Sequence, residues 1–406
     1  MSSLLIKDVR LVDALGESYG DLLVRDGVIW AMGKGLVAPG VPVLAGEGRT
    51  LLPAFVDLHA HFRDPGQSEK EDILTGSWAA AKGGYTAVSV MANTRPACDR
   101  PEVAQYVRKK AEEHAVVEVY PVGAITQGLA GEELADMEGL APHVWAFSDD
   151  GRGVERPEVA LAAFRAAAAL GRVIFSHCES RGIADPRLSE ELMAGRDLWL
   201  ARWTGCRVHI AHVASPGTVE LVEWAKARGV AATCEVTPHH LCLEGEYRVN
   251  PPLCDEAARK RLLSALREGR IDAVATDHAP HTPEDKRRGA PGISGIETAF
   301  PLLFTHLVRE GEIALSQLSR LMSLSPARIL GVPKGRLAVG MDGDVVLFED
   351  APFTVTEDFF FSRGKNTPLL GQTLWGKVWA TVHRGDVIFL AGRVKGRDGD
   401  DHRPVG

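Results

Sequence analysis

Hydrophobic and polar positions alternate with a period of two at both ends of the chain. Residues 4–12 and 21–30 follow this alternation, and Asp26 with Gly27 forms a turn signal between Arg25 and Val28. Three segments near the C-terminus behave in the same way: residues 344–348, 377–383 and 387–390. The pattern predicts short strands at both ends, with a polar tail after Gly396.

The middle of the chain has a different pattern, in which short apolar runs alternate with longer, alanine-rich, helix-like segments. The predicted strands are residues 55–61, 87–92, 116–122, 144–148, 173–177, 208–213, 231–236 and 273–276. Clear helical patterns cover residues 102–114, 157–170, 218–227 and 256–268. Eight such units predict a parallel (β/α)₈ barrel. An open doubly wound sheet is the alternative, but no Gly-x-Gly-x-x-Gly motif follows the first strand.

Histidine, aspartate or asparagine stands where six of the predicted strands end or nearly end, which is the edge at which barrels build their active sites. His59 and His61 are two residues apart, so both imidazoles can face one point. Alone, this pair has a structural explanation as often as a functional one, but the other strand ends carry further ligand-type residues. The predicted metal ligands are His59, His61, Asp150, His177, His212 and Asp277.

Four histidines and two carboxylates suit zinc, with manganese or cobalt as substitutes. A carboxylate shared between two groups of ligands would give a two-metal site. Such a pair makes water a nucleophile at neutral pH and polarises a carbonyl. Asp277, at the end of the last strand, is the predicted general base that passes a proton to the leaving nitrogen. The residues therefore predict hydrolysis of an amide or an ester.

Other polar residues near these strand ends have competing interpretations. His239 and His240 are alternative ligands, although the set above already completes a metal site. His209 lies three residues before His212, so alternation predicts that it faces the helices. Asp57 precedes His59 by two residues and is predicted to orient a ligand histidine.

Composition narrows the functional classes. The chain has 406 residues and a formal net charge of -8, which argues against a general nucleic-acid binder. Its six cysteines include no Cys-x-x-Cys pair, so we expect a reduced, cytoplasmic location. The N-terminus lacks the apolar core of a signal peptide, and no apolar run is long enough to cross a membrane.

Several motifs together resemble the amidohydrolase superfamily and, within it, the class I dihydroorotases. The resemblance covers nearly the whole chain. The motifs that carry it are PAFVDLHAHFRDPG at 53–66, MANTRP at 91–96, FSDDG at 147–151, NPPL at 250–253, ATDHAPH at 275–281 and GIETAF at 295–300. The stretch from His177 to His212 is shorter than is usual in the family, but every metal position is intact.

The resemblance implies a three-part organisation. Residues 53–335 would form the hydrolase barrel, and residues 1–52 and 336–406 would form the two parts of a small composite β-sandwich. It also implies two zinc ions bridged by Asp150, where hydantoinases and allantoinases use a carbamylated lysine. His59, His61 and Asp277 would complete one metal site, and His177 and His212 the other.

The reaction implied is the reversible cyclisation of N-carbamoyl-L-aspartate to L-dihydroorotate and water in pyrimidine synthesis. Arg63, Asn93 and His281 match residues that bind the substrate carboxylate, and Asn250, Pro291 and Gly292 match contacts to the ring. Homo-oligomers and association with aspartate carbamoyltransferase are the partners that the family allows. The alternatives are another cyclic-amide hydrolase, of the hydantoinase or allantoinase kind, and a non-catalytic scaffold, which would lack the metal ligands.

Overall fold

Five short strands precede the barrel in the computed structural model, which describes residues 2–397. They are β1 (Leu4–Asp13), β2 (Gly16–Arg25), β3 (Val28–Gly33), β4 (Val43–Ala45) and β5 (Thr50–Pro53). The turn expected at Asp26 and Gly27 joins β2 to β3, and both residues have positive φ, 49° and 81°. That conformation matches the twist of a tight hairpin, so the predicted turn is confirmed.

Eight parallel strands follow and form the barrel. They are β6 (Phe55–Ala60), β7 (Tyr85–Val90), β8 (Glu118–Gly123), β9 (Ala146–Phe147), β10 (Val173–Ser176), β11 (Arg207–Ile210), β12 (Ala232–Val236) and β13 (Ala273–Val274). Each pairs in parallel with the next. The ring closes just beyond the last strand, where the His61 amide donates to the His278 carbonyl at 2.8 Å. The predicted barrel is confirmed, and the open sheet is wrong.

Helices surround the barrel, and several begin with proline in the first turn, where no amide partner is needed. The described helices are α1 (Ile73–Lys82), α2 (Pro101–His114), α3 (Met137–Leu140), α4 (Pro157–Ala169), α5 (Pro186–Thr204), α6 (Pro216–Lys226), α7 (Pro238–Cys242), α8 (Glu256–Arg267), α9 (Pro283–Arg287), α10 (Ala299–Leu303), α11 (Leu315–Ser319) and α12 (Ser325–Leu330). The four helices predicted from sequence correspond to α2, α4, α6 and α8. Across residues 2–397, no helix has the length and apolarity needed to span a bilayer.

Strands from both chain ends join in one nine-stranded sheet. The C-terminal members are β14 (Val345–Thr354), β15 (Thr373–His383), β16 (Asp386–Leu390) and β17 (Arg393–Val394). The order is β17-β16-β15-β14-β5-β1-β2-β3, with β4 also paired to β1. Val345 of β14 lies opposite Pro53 of β5, so the sheet connects the two ends directly where the barrel begins. Its own apolar cluster includes Leu22, Leu51 and Val345.

Candidate metal centre and active site

The carboxyl ends of the barrel strands bring the six predicted metal ligands together, and all six side chains are buried. In residues 2–397, two overlapping groups have the geometry to hold metal ions: His59, His61 and Asp150, and Asp150, His177 and His212. Asp277 lies beside the first group, with its Oδ1 3.2 Å from Nε2 of His61. Asp150 belongs to both groups and therefore occupies the centre of the site.

Asp149, the residue before Asp150, does not face the metal-binding groups and instead holds a loop in place. Asp149 accepts hydrogen bonds from the amides of Ile125 and Thr126, at 2.8 and 3.0 Å, and from the Thr126 hydroxyl. These bonds fix the segment after β9 to the loop after β8. The carboxylate of Asp150, the next residue, faces the converging histidines instead.

His59 lies on β6, the first barrel strand, and His61 follows it directly. In each of these histidines, the ring nitrogen that faces away from Asp150 donates a hydrogen bond to an acceptor side chain. His59 Nδ1 lies 3.2 Å from the Glu235 carboxylate, so it carries the proton and donates. His61 Nδ1 donates to Asn93 Oδ1 at 2.9 Å, while the Asn93 amide donates to Asp150 at 3.2 Å. Each imidazole therefore presents the lone pair of Nε2 to the centre, as metal-binding histidines do.

His177 is turned the other way. Its Nε2 lies 3.0 Å from Glu179, whose carboxylate also accepts from Asn250 at 3.1 Å. The lone pair of Nδ1 therefore faces Asp150 Oδ1 at 3.3 Å and His212 Nε2 at 2.8 Å. The second group is thus arranged like the first, with an acceptor behind a ligand histidine.

These separations fit a divalent cation. Asp150 Oδ1 lies 3.2 Å from His59 Nε2 and 3.4 Å from His212 Nε2. Ligands at zinc distances of about 2.0–2.1 Å stand about 3.3 Å apart at a tetrahedral centre. Lone pairs and carboxylate oxygens that face one another at such distances repel unless a cation lies between them. The buried His59 Nε2 also has no hydrogen-bond partner among the described residues.

The backbone is strained where three of the predicted site residues leave their strands. Arg63, His212 and Asp277 have φ of 57°, 33° and 45°, which is the left-handed region. A non-glycine residue there costs on the order of 1–3 kcal/mol and persists when its surroundings hold it. The turns redirect each of these side chains beyond the end of its strand.

Sequence reasoning missed Glu235, which lies within β12 and is buried. Its carboxylate bridges His59 Nδ1 and His209 Nε2, the latter at 3.0 Å. Burial raises the pKa of Glu235, but His209 and His59 outweigh it and lower that pKa to about 2. The predicted helix-facing position of His209 is therefore wrong. β11 ends at Ile210, and alternation cannot be counted on to His212 across the left-handed turn.

The contacts contradict the role predicted for Asp57 and agree with a ligand set that excludes His239 and His240. Asp57 touches no imidazole: it accepts from the amide and hydroxyl of Thr276 and from the His59 amide, so it ties β6 to the end of β13. His239 and His240 lie outside both metal-binding groups of residues 2–397. His240 instead accepts from the Thr237 hydroxyl and donates to a backbone carbonyl at 3.0 Å.

A cavity of about 190 Å³ opens onto the metal-binding groups. All six predicted substrate contacts line it: Arg63, Asn93, Asn250, His281, Pro291 and Gly292. Asn93 and Asn250 lie between the predicted metal ligands and the predicted substrate contacts. The Asn93 amide donates to Asp150, and the Asn250 amide donates to Glu179. They position metal-site carboxylates as well as lining the cavity.

Arg63 supplies positive charge to this cavity without an acidic partner. Its guanidinium lies 3.4 Å from the Pro280 carbonyl, and among residues 2–397 no carboxylate oxygen comes within 4 Å. Burial lowers the pKa of Arg63 to about 10, partly opposed by Asp277 and Asp150, so it stays charged at neutral pH. Asp64 faces away and pairs with Lys110 at 2.6 Å.

His281 stands beside Arg63 and is neutral. Burial, and then the charge of Arg63, lower the pKa of His281 to about 3. Its Nε2 donates to the Pro291 carbonyl at 2.9 Å, which leaves Nδ1 as an acceptor. Asn366, which sequence reasoning also missed, fixes this wall by accepting from the His281 amide and donating to the Gly292 carbonyl. A Cβ at Gly292 would meet the Ala279 Cβ at 2.6 Å.

Glu235→Gln is expected to weaken metal binding by about 10–100-fold, the usual cost of removing a carboxylate that orients a ligand histidine. Glutamine keeps the shape but cannot accept from both His59 and His209. Metal retention during dialysis against a graded chelator measures the effect. Glu297→Gln is the matched control, since Glu297 is equally buried but pairs with Lys82. Equal retention by both variants and the parent would contradict this role.

Comparison with known proteins agrees with this geometry. Residues 48–193 match the family described as dihydro-orotase-like. The chain is 42% identical to a dihydroorotase of Clostridium botulinum over 394 residues, which cover 95% of this chain and 99% of the relative. It is 39% identical to a dihydroorotase of a Thermoanaerobacter species, over 96% of this chain and 98% of that one.

Two solved structures with the same fold are hydantoinases. The L-hydantoinase (dihydropyrimidinase) of Arthrobacter aurescens superposes with a TM-score of 0.88 at 26% identity, covering 97% of each chain. The D-hydantoinase (dihydropyrimidinase) of a Thermus species gives a TM-score of 0.86 at 25% identity and 96% coverage of each. Sequence similarity over nearly the full length, together with a barrel whose strand ends carry histidine and aspartate, shows that the chain belongs to the dihydroorotases of the amidohydrolase superfamily.

Proposed function

We propose that this protein catalyses the reversible cyclisation of N-carbamoyl-L-aspartate to L-dihydroorotate and water, in the synthesis of UMP. The observation that carries this proposal is the Arg63 guanidinium, which faces the cavity with no carboxylate of residues 2–397 within 4 Å. Such a cation needs an anion, and both reactants carry a free carboxylate. The planar guanidinium can bind it with two parallel hydrogen bonds.

His59, His61, Asp150, His177, His212 and Asp277 would hold two zinc ions, with Asp150 as the bridge. Histidine nitrogen and carboxylate oxygen are ligands that zinc prefers, which supports this choice of metal. When bound, the ions supply Lewis-acid activation of water and of the amide carbonyl.

The remaining chemistry falls to the chain's own residues. Asp277 has both the position and the charge of a general base. Burial raises its pKa, but the contact with His61 and the charge of His59 lower it by more, so the carboxylate is ionised at neutral pH. In ring opening, Asp277 accepts the proton of the attacking water and delivers it to the leaving ring nitrogen, and in cyclisation the proton moves the other way. Arg63, with Asn93 and His281 on the adjoining walls of the cavity, orients the substrate carboxylate, while Asn250 and the backbone of Pro291 and Gly292 contact the ring.

Hydrolysis of uncharged cyclic ureides is the second candidate, because the superposed structures are hydantoinases. Two observations favour dihydroorotase: Asp150 stands at the fourth strand end, where a carbamylated lysine would serve a hydantoinase, and Arg63 needs an anion. The scaffold alternative is disfavoured by the six assembled ligand residues. We place the reaction in the cytoplasm, which the six unpaired cysteines support.

Arg63→Met is expected to lower kcat/KM for dihydroorotate by about 30- to 4,000-fold, because loss of one member of a buried charge pair costs about 2–5 kcal/mol. Dihydrouracil and hydantoin lack the carboxylate. We expect them to be poor substrates of the zinc-loaded parent and no worse with the variant. Steady-state kinetics on both substrate classes, with metal analysis of each preparation, provide the measurement.

The uncharged substrates are the internal control for damage to the site. If the parent hydrolyses dihydrouracil as fast as dihydroorotate, the function proposed here is wrong and the hydantoinase alternative is favoured. If the parent prefers dihydroorotate but the variant does also, the carboxylate is bound by residues other than Arg63.

A further inference from the structure

Lys286, in the last turn of the short helix α9, directs its ammonium group at the backbone of two loops. Its Nζ donates hydrogen bonds to three carbonyls, at 2.9 Å to Ala290, 3.0 Å to Gly292 and 3.2 Å to Arg248. The ring of Tyr247 lies beside the same nitrogen, with its centroid 4.5 Å away. A lysine ammonium has three donors, so the three carbonyls use all of them.

Lys286 has no acidic partner. Among residues 2–397, no carboxylate oxygen lies within 4 Å of its Nζ. The two acids of α9 are bound elsewhere. Glu284 pairs with Arg287 at 2.6 Å. Asp285 accepts from the Thr282 amide at 3.0 Å. Backbone carbonyls therefore stabilise the ammonium group, and its position in turn fixes theirs.

The three carbonyls belong to the two loops that carry the predicted ring contacts, called here the ring wall: Asn250, Pro291 and Gly292. Arg248 precedes Asn250 by two residues, and its carbonyl also accepts from the Gly292 amide at 3.0 Å. The Ala290 carbonyl has no donor other than Lys286 among the described residues. One ammonium group thus joins the two halves of the ring wall.

We propose that Lys286 is a positioning residue that sets the spacing of the two halves of the ring wall and so determines how tightly the cyclic substrate binds. The inference rests on the function proposed above, since it assumes that a ring occupies this wall. Lys286 itself neither lines the cavity nor belongs to a metal-binding group of residues 2–397. Its effect therefore passes through the loops, and it is separable from the effects of Arg63 and of the metals.

The shape of the cation matters as well as its charge. An ammonium nitrogen directs its three N–H bonds to different sides, which suits carbonyls that converge from two loops. The guanidinium of arginine is a planar fork, which suits a carboxylate or phosphate instead. Methionine keeps an apolar stem beside Tyr247 but donates no hydrogen bond. Neither residue at position 286 can therefore hold all three carbonyls.

Steady-state kinetics of the zinc-loaded full chain test the inference. Lys286→Met is expected to raise KM for dihydroorotate about 10–100-fold, because misplacing a binding group by about 1 Å can cost up to about 100-fold. Contacts made equally in the ground and transition states affect KM and not kcat, so kcat and metal content should stay within about twofold of the parent. Lys286→Arg should raise KM in the same way. Lys226→Met is the matched control and should leave KM unchanged, since Lys226 pairs with Asp272 at 2.7 Å, outside the cavity.

Hydrogen exchange provides a second measurement that does not depend on turnover. The Gly292 amide donates to the Arg248 carbonyl, so its exchange reports separation of the two loops. We expect exchange at this amide to be at least about tenfold faster in Lys286→Met than in the parent. In Lys226→Met it should be unchanged.

Three results would overturn the proposal. The first is a KM within twofold of the parent in Lys286→Met, and the second is unchanged exchange at Gly292. The third is a loss of kcat or of metal without a rise in KM, which would assign Lys286 to the metal centre or to the fold. Failure of the proposed function is a separate result: a parent that prefers dihydrouracil would refute it, and KM for dihydrouracil in the same variants would then test Lys286.

Discussion

Replacing Asp150 by alanine is expected to remove bound metal and to lower kcat/KM by more than about 10⁴-fold, because both metal-assisted activation and general-base catalysis depend on the metals it would bridge. Asp150 lies within 3.5 Å of a ring nitrogen of four histidines. Without its carboxylate, the two groups share no ligand, and the histidine lone pairs lose the anion that balances a cation pair. Metal content by plasma emission spectrometry and steady-state kinetics measure the two losses together.

Asp149→Asn is the control for this variant. Asp149 is the adjacent carboxylate, equally buried, but it anchors a loop through the amides of Ile125 and Thr126. Asparagine can still accept those bonds, so metal content should stay at the parent's value even if stability falls. Two metals per chain in Asp150→Ala would show that the bridge lies elsewhere.

The second large effect is expected at Asp277. Asp277→Asn keeps the size and an oxygen ligand but cannot take a proton at neutral pH, so kcat should fall by at least about 10²–10⁴-fold with the fold intact. Metal at the Asp150, His177 and His212 group should be retained, because Asp277 is not part of it. Turnover, metal content and circular dichroism separate loss of the base from loss of the site.

The same substitution at the other end of β13 provides the comparison. Asp272 precedes that strand and pairs with Lys226 at 2.7 Å, far from the cavity. Asp272→Asn should therefore lower stability without changing kcat. An Asp277→Asn enzyme within tenfold of the parent would mean that another group accepts the proton.

Much of the barrel could be predicted because the period of the apolar positions changes where each element begins. β10 and α4 fall within one residue of their predicted bounds. Ligand-type residues at strand ends are visible for the same reason, since His and Asp are out of place beside a run such as Val173–Ser176. The end of a parallel strand can thus be recognised both from the change in apolar pattern and from the ligand-type residue that follows it.

The residues behind the metal site could not be predicted, because their roles depend on register rather than on spacing. Glu235 is one residue in an ordinary strand, and only the pairing of β11 with β12 brings it to His209. Asn366 reaches His281 from a segment more than 80 residues away. The left-handed turn at His212 broke the alternation on which the His209 prediction was based.

The connection of β5 to β14 has a consequence for how the chain is made. β5 pairs with β1 on one side, but its other edge finds a partner only when Val345 and its neighbours leave the ribosome. At about 5–20 residues per second, the whole barrel is synthesised first, which takes on the order of tens of seconds. Throughout that time the nascent chain exposes an unpaired strand edge immediately before the first barrel strand. Such edges recruit other strands, so this edge is open to mispairing until β14 has been made.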